Sequence, residues 1–97
     1  MPKRALVIGS GFGGIAAALR ARKMGFDVTL IERLDQLGGR ARTFERAGHV
    51  FDAGPTVITA PFLFDELFEL FGRDLKDYAE ILPVSPWYRY EFNDGSR

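Results

Sequence analysis

The chain has 97 residues, 13 Lys plus Arg, 13 Asp plus Glu and no Cys. The missing cysteine excludes a disulfide framework, a thiolate metal site and a cysteine nucleophile, and the zero net charge excludes a global basic field that would recruit nucleic acid or an anionic membrane. Hydrophobic residues at 46% and charged residues at 27% are ordinary for a globular protein, and no apolar run approaches the roughly 20 residues that cross a bilayer.

Met1 to Gly9 carries basic residues but too brief an apolar stretch for a signal peptide, which needs about 7–15 such residues. A cytoplasmic location is expected. Lys3 to Gly9 reads as a strand buried on both faces, closed by glycine. Gly9 to Gly14 form a glycine-rich turn. Phe12 to Met24 are expected to be helical: Ile15 to Leu19 offer a small apolar surface, and Arg20, Arg22 and Lys23 suit the negative helix end. Gly25 is the stop. Val28 to Ile31 are a second β-branched run, ended by Glu32. Strand, helix and strand in that order demand a parallel pair.

Asp35 to Arg42 read as a loop centred on Gly38-Gly39-Arg40. Thr43–Glu45 and His49–Phe51 are expected as short strands around a turn at Ala47-Gly48. Asp52 to Pro55 break that pattern, and Thr56 to Thr59 are short and β-branched. Pro61 to Phe71 are expected to be a helix with Thr59 as N-cap and Gly72 at its end. Asp74 to Ala79 add a further turn. Trp87 to Phe92 alternate aromatic with polar residues as a strand does, and Asn93-Asp94-Gly95 signals a tight hairpin turn. The strand that would return from that turn is not in the sequence, and a two-stranded parallel sheet cannot bury its faces. Residues 1–97 are therefore expected to be the N-terminal part of a longer protein, or a chain whose sheet a partner subunit completes.

Gly9-Ser10-Gly11-Phe12-Gly13-Gly14 fits the spacing G-x-G-x-x-G. Gly9 lets the strand turn sharply, Gly11 lets a pyrophosphate approach the backbone, and Gly14 lets the helix lie close to the strands. The helix start offers unpaired N–H groups and a partial positive charge, and Gly13 opens the loop further. Glu32 ends the second strand, where its carboxylate can accept from ribose hydroxyls and repel a 2′-phosphate. Strand before, helix after and an acid at the right distance turn a weak motif into a strong one. The expected fold is α/β, the opening βαβ of a Rossmann-like dinucleotide-binding domain, followed by a short hairpin and an apolar helix.

The fingerprint does not separate NAD from FAD. Glu32-Arg33 followed by Gly38-Gly39-Arg40-Ala41-Arg42-Thr43 resembles the extension found in flavoproteins of the glutathione-reductase and amine-oxidase superfamily. Two adjacent glycines bring N–H groups to the diphosphate, and Arg40 adds a charge-assisted contact. Arg42 and Arg46 read as solvated loop residues. The string Phe51-Asp52-Ala53-Gly54-Pro55-Thr56-Val57-Ile58-Thr59 narrows the resemblance to the phytoene desaturase family of bacterial-type carotenoid dehydrogenases. Leu82 to Pro86 and Trp87-Tyr88-Arg89 are similar to that family too.

The resemblance implies an FAD-dependent enzyme that desaturates, isomerises or saturates a long lipophilic polyene, one hydrogen leaving as hydride to the flavin and one as a proton. It places Gly9, Gly11, Gly14 and Glu32 among the ADP-binding residues, Gly39 and Arg40 in the second dinucleotide segment, and Gly54, Pro55 and Thr56 near the flavin; Ser10, Phe12, Gly13 and Arg33 are expected among the cofactor-binding residues with them. Ser10 stands where the family often has alanine. The family's substrate domain and C-terminal flavin segment lie outside this sequence. No catalytic base is assigned: Asp52 before Ala-Gly-Pro reads as a turn residue, and His49, the only histidine, reads as structural. Alternatives are a non-catalytic adenine-nucleotide-binding module and a related flavoenzyme such as an amine oxidase or a polyene reductase.

Five phenylalanines fall between Phe51 and Phe71. In the Pro61 to Phe71 helix the apolar face is wider than one stripe. It reads as a helix buried between two domains, with the wall of a lipophilic tunnel or a peripheral membrane contact as the alternative.

Overall fold

The apolar run ending at Ile8 forms strand β1 (Arg4–Ile8), the first element of the computed structural model, which describes residues 3–97. Met1 and Pro2, the start of the stretch read above for a leader, lie outside the described residues. Helix α1 (Phe12–Lys23) leads to strand β2 (Asp27–Ile31). The two strands pair in parallel, from Arg4 opposite Asp27 to Ile8 opposite Ile31. Gly9 N–H adds one more rung, donating to Ile31 O at 2.8 Å.

The end of α1 follows from Gly25, whose φ of +99° turns the chain out of the helix. Gly25 N–H donates to Arg22 O at 3.0 Å and Phe26 N–H to Ala21 O at 3.1 Å. That pair of bonds satisfies the last carbonyls of the helix. α1 lies over the half-buried Ala5, Val7, Val28 and Leu30, which alternate onto one face of the pair. The other face is open: Leu6 is 60% and Ile8 79% exposed. The expectation of a first strand buried on both faces is thus corrected. One helix covers one side, and no described element covers the other.

A second, separate sheet follows. Strands β3 (Thr43–Arg46) and β4 (His49–Asp52) pair antiparallel with Arg46 opposite His49. The two turn residues both take positive φ, 52° at Ala47 and 79° at Gly48, as a tight hairpin turn of this hand requires. Phe44 and Phe51 face each other across it with ring centroids 5.3 Å apart.

Helix α2 (Pro61–Glu69) begins at Pro61 as expected, but its cap falls one residue later than expected. Ala60, not Thr59, is the N-cap, with no side-chain bond. Pro61 supplies no N–H of its own, and Leu63 N–H already donates to Ala60 O at 3.1 Å, so fewer of the first N–H groups are left for a hydroxyl. Gly72, with φ +66°, stops the helix as expected. A 3-10 turn at Leu75–Asp77 follows, capped by Asp74, whose carboxylate accepts from Lys76 N–H at 3.1 Å. Leu75 is buried beneath it.

α2 docks on α1 through two contacts. The Phe64 ring meets Phe12 edge-on with centroids 5.4 Å apart, and Arg20 pairs with Glu66 at 2.8 Å. Both charged side chains are about half exposed (47% and 49%), so breaking the pair is expected to cost no more than about 1 kcal/mol. Phe64→Ala is expected to cost more, about 1–2 kcal/mol, because it removes apolar contact as well as the ring geometry. Hydrogen exchange of the α2 amides checks this: protection falls further in Phe64→Ala than in Glu66→Gln.

Trp87 to Phe92 do not form the expected strand. Alternation alone does not make a strand; it needs a neighbour to satisfy its N–H and C=O groups, and none of the described elements lies alongside. The turn after it is present: Gly95 N–H donates to Phe92 O at 2.9 Å, and Asp94 accepts from Ser96 N–H at 2.9 Å.

The fold buries little. Its radius of gyration is 17.8 Å, against about 12–13 Å for a compact domain of this length. It exposes 8522 Å², where a folded monomer of this mass exposes about 5,600 Å². The arrangement is an α/β, Rossmann-like βαβ unit with a hairpin and an apolar helix appended, its sheets holding two strands each. No helix of the described residues is long and apolar enough to cross a membrane.

Candidate dinucleotide site

The bend between β1 and α1 is where the sequence concentrates its chemistry. Gly9 enters it with φ +103°, a conformation open to glycine and strained for other residues. Ser10 comes next and is fully buried. Its N–H donates to Glu32 Oε1 at 3.1 Å, and its hydroxyl donates to the same oxygen. Glu32 Oε2 accepts from Leu34 N–H at 2.9 Å. The acid at the end of β2 is therefore turned towards the bend and gripped there.

These donors hold the Glu32 carboxyl at about 2, well below its ordinary 4.5. The Leu34 N–H contributes most, then the Ser10 hydroxyl, then the Ser10 N–H. Hydrogen bonds to the ionised form favour it. Because the folded value is depressed, the stabilisation is present above about 4.5 and is lost as pH falls towards about 2. The stability advantage of the protein over Glu32→Gln is expected to shrink across that interval. Denaturant midpoints measured at pH 6 and at pH 3 check it; an advantage independent of pH would contradict the bonding described.

The remaining glycines divide by what a side chain would meet. A Cβ on Gly11 would meet nothing within 4 Å. A Cβ on Gly14 would fall 2.0 Å from Gly9 O. One position faces open space, and the other is a contact between helix and strand. Gly11, the N-cap of α1, offers no side-chain cap, and the first turn carries no acid, so the first N–H groups of the helix are free to meet an anion.

A second loop closes over the first. Gly38 N–H donates to Ser10 O at 2.8 Å. A Cβ on Gly39 would stand 3.0 Å from Gly11 Cα, so only a bare residue lets the two loops touch. The chain then makes a single 3-10 turn, Gly39–Ala41, which carries Arg40. After β4, Ala53 N–H donates to Arg42 O at 3.0 Å, and Gly54 passes so near that a Cβ would be 2.3 Å from Arg40 O. The result is a cleft of about 280 Å³ lined by Gly11, Phe12, Gly38, Arg40, Ala41 and Pro55. Arg40 makes no ion pair among the described residues. A cation, free amides and a small cleft suit a diphosphate. The volume lies at the low end for ligand pockets, enough for the middle of a dinucleotide and not for all of it.

Of the residues singled out in the sequence, Gly9 to Gly14, Glu32, Gly39, Arg40, Gly54 and Pro55 converge on this bend and cleft. Arg33 and Thr56 are exposed and do not line it. Asp52 and His49 sit at the ends of β4, away from the cleft lining. Two features were not read from the sequence: the grip of the Ser10 hydroxyl on Glu32, and the lining role of Ala41; Gly38, expected to bring its N–H to a diphosphate, lines the cleft but spends that N–H on Ser10 O. The first depends on a contact 22 residues apart, which no local pattern signals.

The chain matches the NAD(P)-binding Rossmann-like domain over residues 7–73. It belongs to that family. The matched stretch of this Rossmann-like domain runs from within β1 through α2, so it contains both loops of the cleft and Glu32, and it identifies a dinucleotide-binding architecture. Among curated proteins, the domain is 52% identical over 93 residues to a lycopene-forming phytoene desaturase of Pantoea ananas, covering 96% of this chain and 19% of that protein. It is 44% identical over 94 residues to a neurosporene-forming phytoene desaturase of Rhodobacter capsulatus, covering 97% and 18%. It is 42% identical over 94 residues to a 4,4′-diapolycopene oxygenase of a Methylomonas species, covering 97% and 19%. The chain spans about a fifth of the length of these relatives.

Proposed function

We propose that this Rossmann-like domain holds the ADP half of FAD in an oxidoreductase that takes hydride from a lipophilic, carotenoid-like polyene. The observation that carries the proposal is the meeting of the two glycine loops: a Cβ on bare Gly11 would face open space, and the Gly38–Arg40 loop is bonded to the neighbouring Ser10 O through Gly38 N–H. A nucleotide fold of the plain fingerprint type needs only the first loop; the second, with its arginine, extends the cradle along a diphosphate. The relatives are phytoene desaturases and a diapolycopene oxygenase, which supports the substrate class.

In this proposal the α1 amides and Arg40 bind the diphosphate. Glu32 accepts from a ribose hydroxyl and, being ionised, repels a 2′-phosphate. Gly54, Pro55 and Thr56 approach the flavin end. The flavin, when bound, supplies the hydride acceptor; the protein orients it and excludes water. Residues 1–97 form the N-terminal part of the FAD-binding domain. The open face of β1 and β2 is covered by the rest of the chain or by a partner subunit, because a parallel sheet is stable only with both faces covered. A cytoplasmic protein with peripheral membrane contact fits the exposed Phe62 and Leu63 of α2 and a lipid-dissolved substrate.

The experiment is to purify the full-length protein and record its spectrum. A bound yellow chromophore absorbing near ~450 nm, released on denaturation, is the expected result. A colourless protein that binds NAD would overturn it.

A further inference from the structure

We infer that Ser10 is the positioning residue for the ribose-reading acid: its buried hydroxyl occupies Glu32 Oε1 and leaves Oε2 to accept a single ribose hydroxyl. The inference rests on the proposed nucleotide reading and goes beyond it to hydroxyl selectivity.

Ser10 is fully buried, so its hydroxyl cannot donate to water and has one proton to place. It places that proton on Glu32 Oε1, beside the bond from its own N–H at 3.1 Å. An ionised carboxylate has about two acceptor positions on each oxygen. Oε1 is therefore filled. Oε2 takes Leu34 N–H at 2.9 Å and keeps one position open. Donors on both oxygens, from β2's own exit and from the opposite loop, also stop the carboxylate rotating. Alanine at this position would keep the N–H bond, the bend and the close packing. The hydroxyl is thus not needed to build the turn; its effect falls on Glu32. Without it, Oε1 regains a free acceptor position beside the retained N–H bond, and the carboxylate can serve either ribose hydroxyl.

The test uses the flavin-free full-length protein and three probes: ADP, 2′-deoxy-ADP and 3′-deoxy-ADP. In the unaltered protein one deoxy analogue is expected to bind about tenfold more weakly than the other, the usual size of a hydrogen bond to a charged group. In Ser10→Ala that ratio is expected to fall below about threefold. Ser10→Cys keeps the volume with a poor donor and is expected to lower the ratio as well, which covers the case in which Ser10→Ala does not fold. A merely structural serine would weaken all three probes alike and leave the ratio unchanged, and that outcome overturns the inference. Equal weakening of both deoxy analogues in the unaltered protein overturns it too, since the acid would then serve both hydroxyls. If neither analogue binds more weakly than ADP, Glu32 does not read the ribose, and the inference and that part of the functional proposal fall together.

Discussion

Gly11→Val is expected to strip the dinucleotide from the protein while leaving the domain folded. The backbone at Gly11 has φ −71° and ψ −179°, an extended conformation that a β-branched residue adopts without strain. A Cβ there meets no atom within 4 Å, so the attachment point of the new side chain displaces nothing. The branched side chain instead enters the cleft of about 280 Å³ where the diphosphate would rest on the α1 amides. Affinity for FAD is expected to fall at least about a hundredfold, equivalent to about 2.7 kcal/mol. The thermal midpoint of the flavin-free protein is expected to stay within a degree or two of the parent, as for a surface change with no packing consequence. Flavin stoichiometry after purification, with the melting curve of the stripped protein beside it, gives both readings. Normal retention of FAD by Gly11→Val would show that the cofactor docks elsewhere.

Gly14→Ala is expected to do the reverse. Helix propensity alone predicts a gain, since alanine is favoured over glycine inside a helix by roughly 0.5–1 kcal/mol. The tertiary contact predicts a larger loss. The new Cβ would fall 2.0 Å from Gly9 O and 2.9 Å from Gly9 C. Those are main-chain atoms of the residue whose N–H donates to Ile31 O, and they cannot swing aside as a side chain does. α1 must lift from β1, at about 3 kcal/mol. The sign of the change in denaturant midpoint decides between propensity and packing, and a rise would refute the close helix–strand approach. The two glycines are three residues apart in one motif, yet one variant is expected to lose ligand and the other stability.

Much of the site was legible because it is written in backbone requirements. Gly9, Gly25, Gly48 and Gly72 all adopt positive φ at the bend, the helix ends and the hairpin turn where the sequence predicts them. Glycine's freedom is local, so it can be read locally. The β1-α1-β2 order and the position of Glu32 follow from the same short-range signals. Elements that need a distant partner were less legible. Trp87 to Phe92 alternate correctly but lack a strand to pair with. Leu6 and Ile8 have the composition of a doubly buried strand, but burial depends on what covers them. Thr59 is a good capping residue one position too early, because Pro61 sets where α2 begins.

By itself the sequence determined that a strand passes through a bare bend into a helix, that an acid ends the next strand, and that a second glycine pair with an arginine follows. Each of these is a property of a few neighbouring residues. Only the tertiary structure decided that the second glycine pair lies on the first, that Gly54 passes against Arg40, and that the one fully buried serine holds the acid. Those three facts are contacts between segments far apart in the chain, and their geometry is set by how β1, β2 and the loops pack, which local residue preferences do not encode.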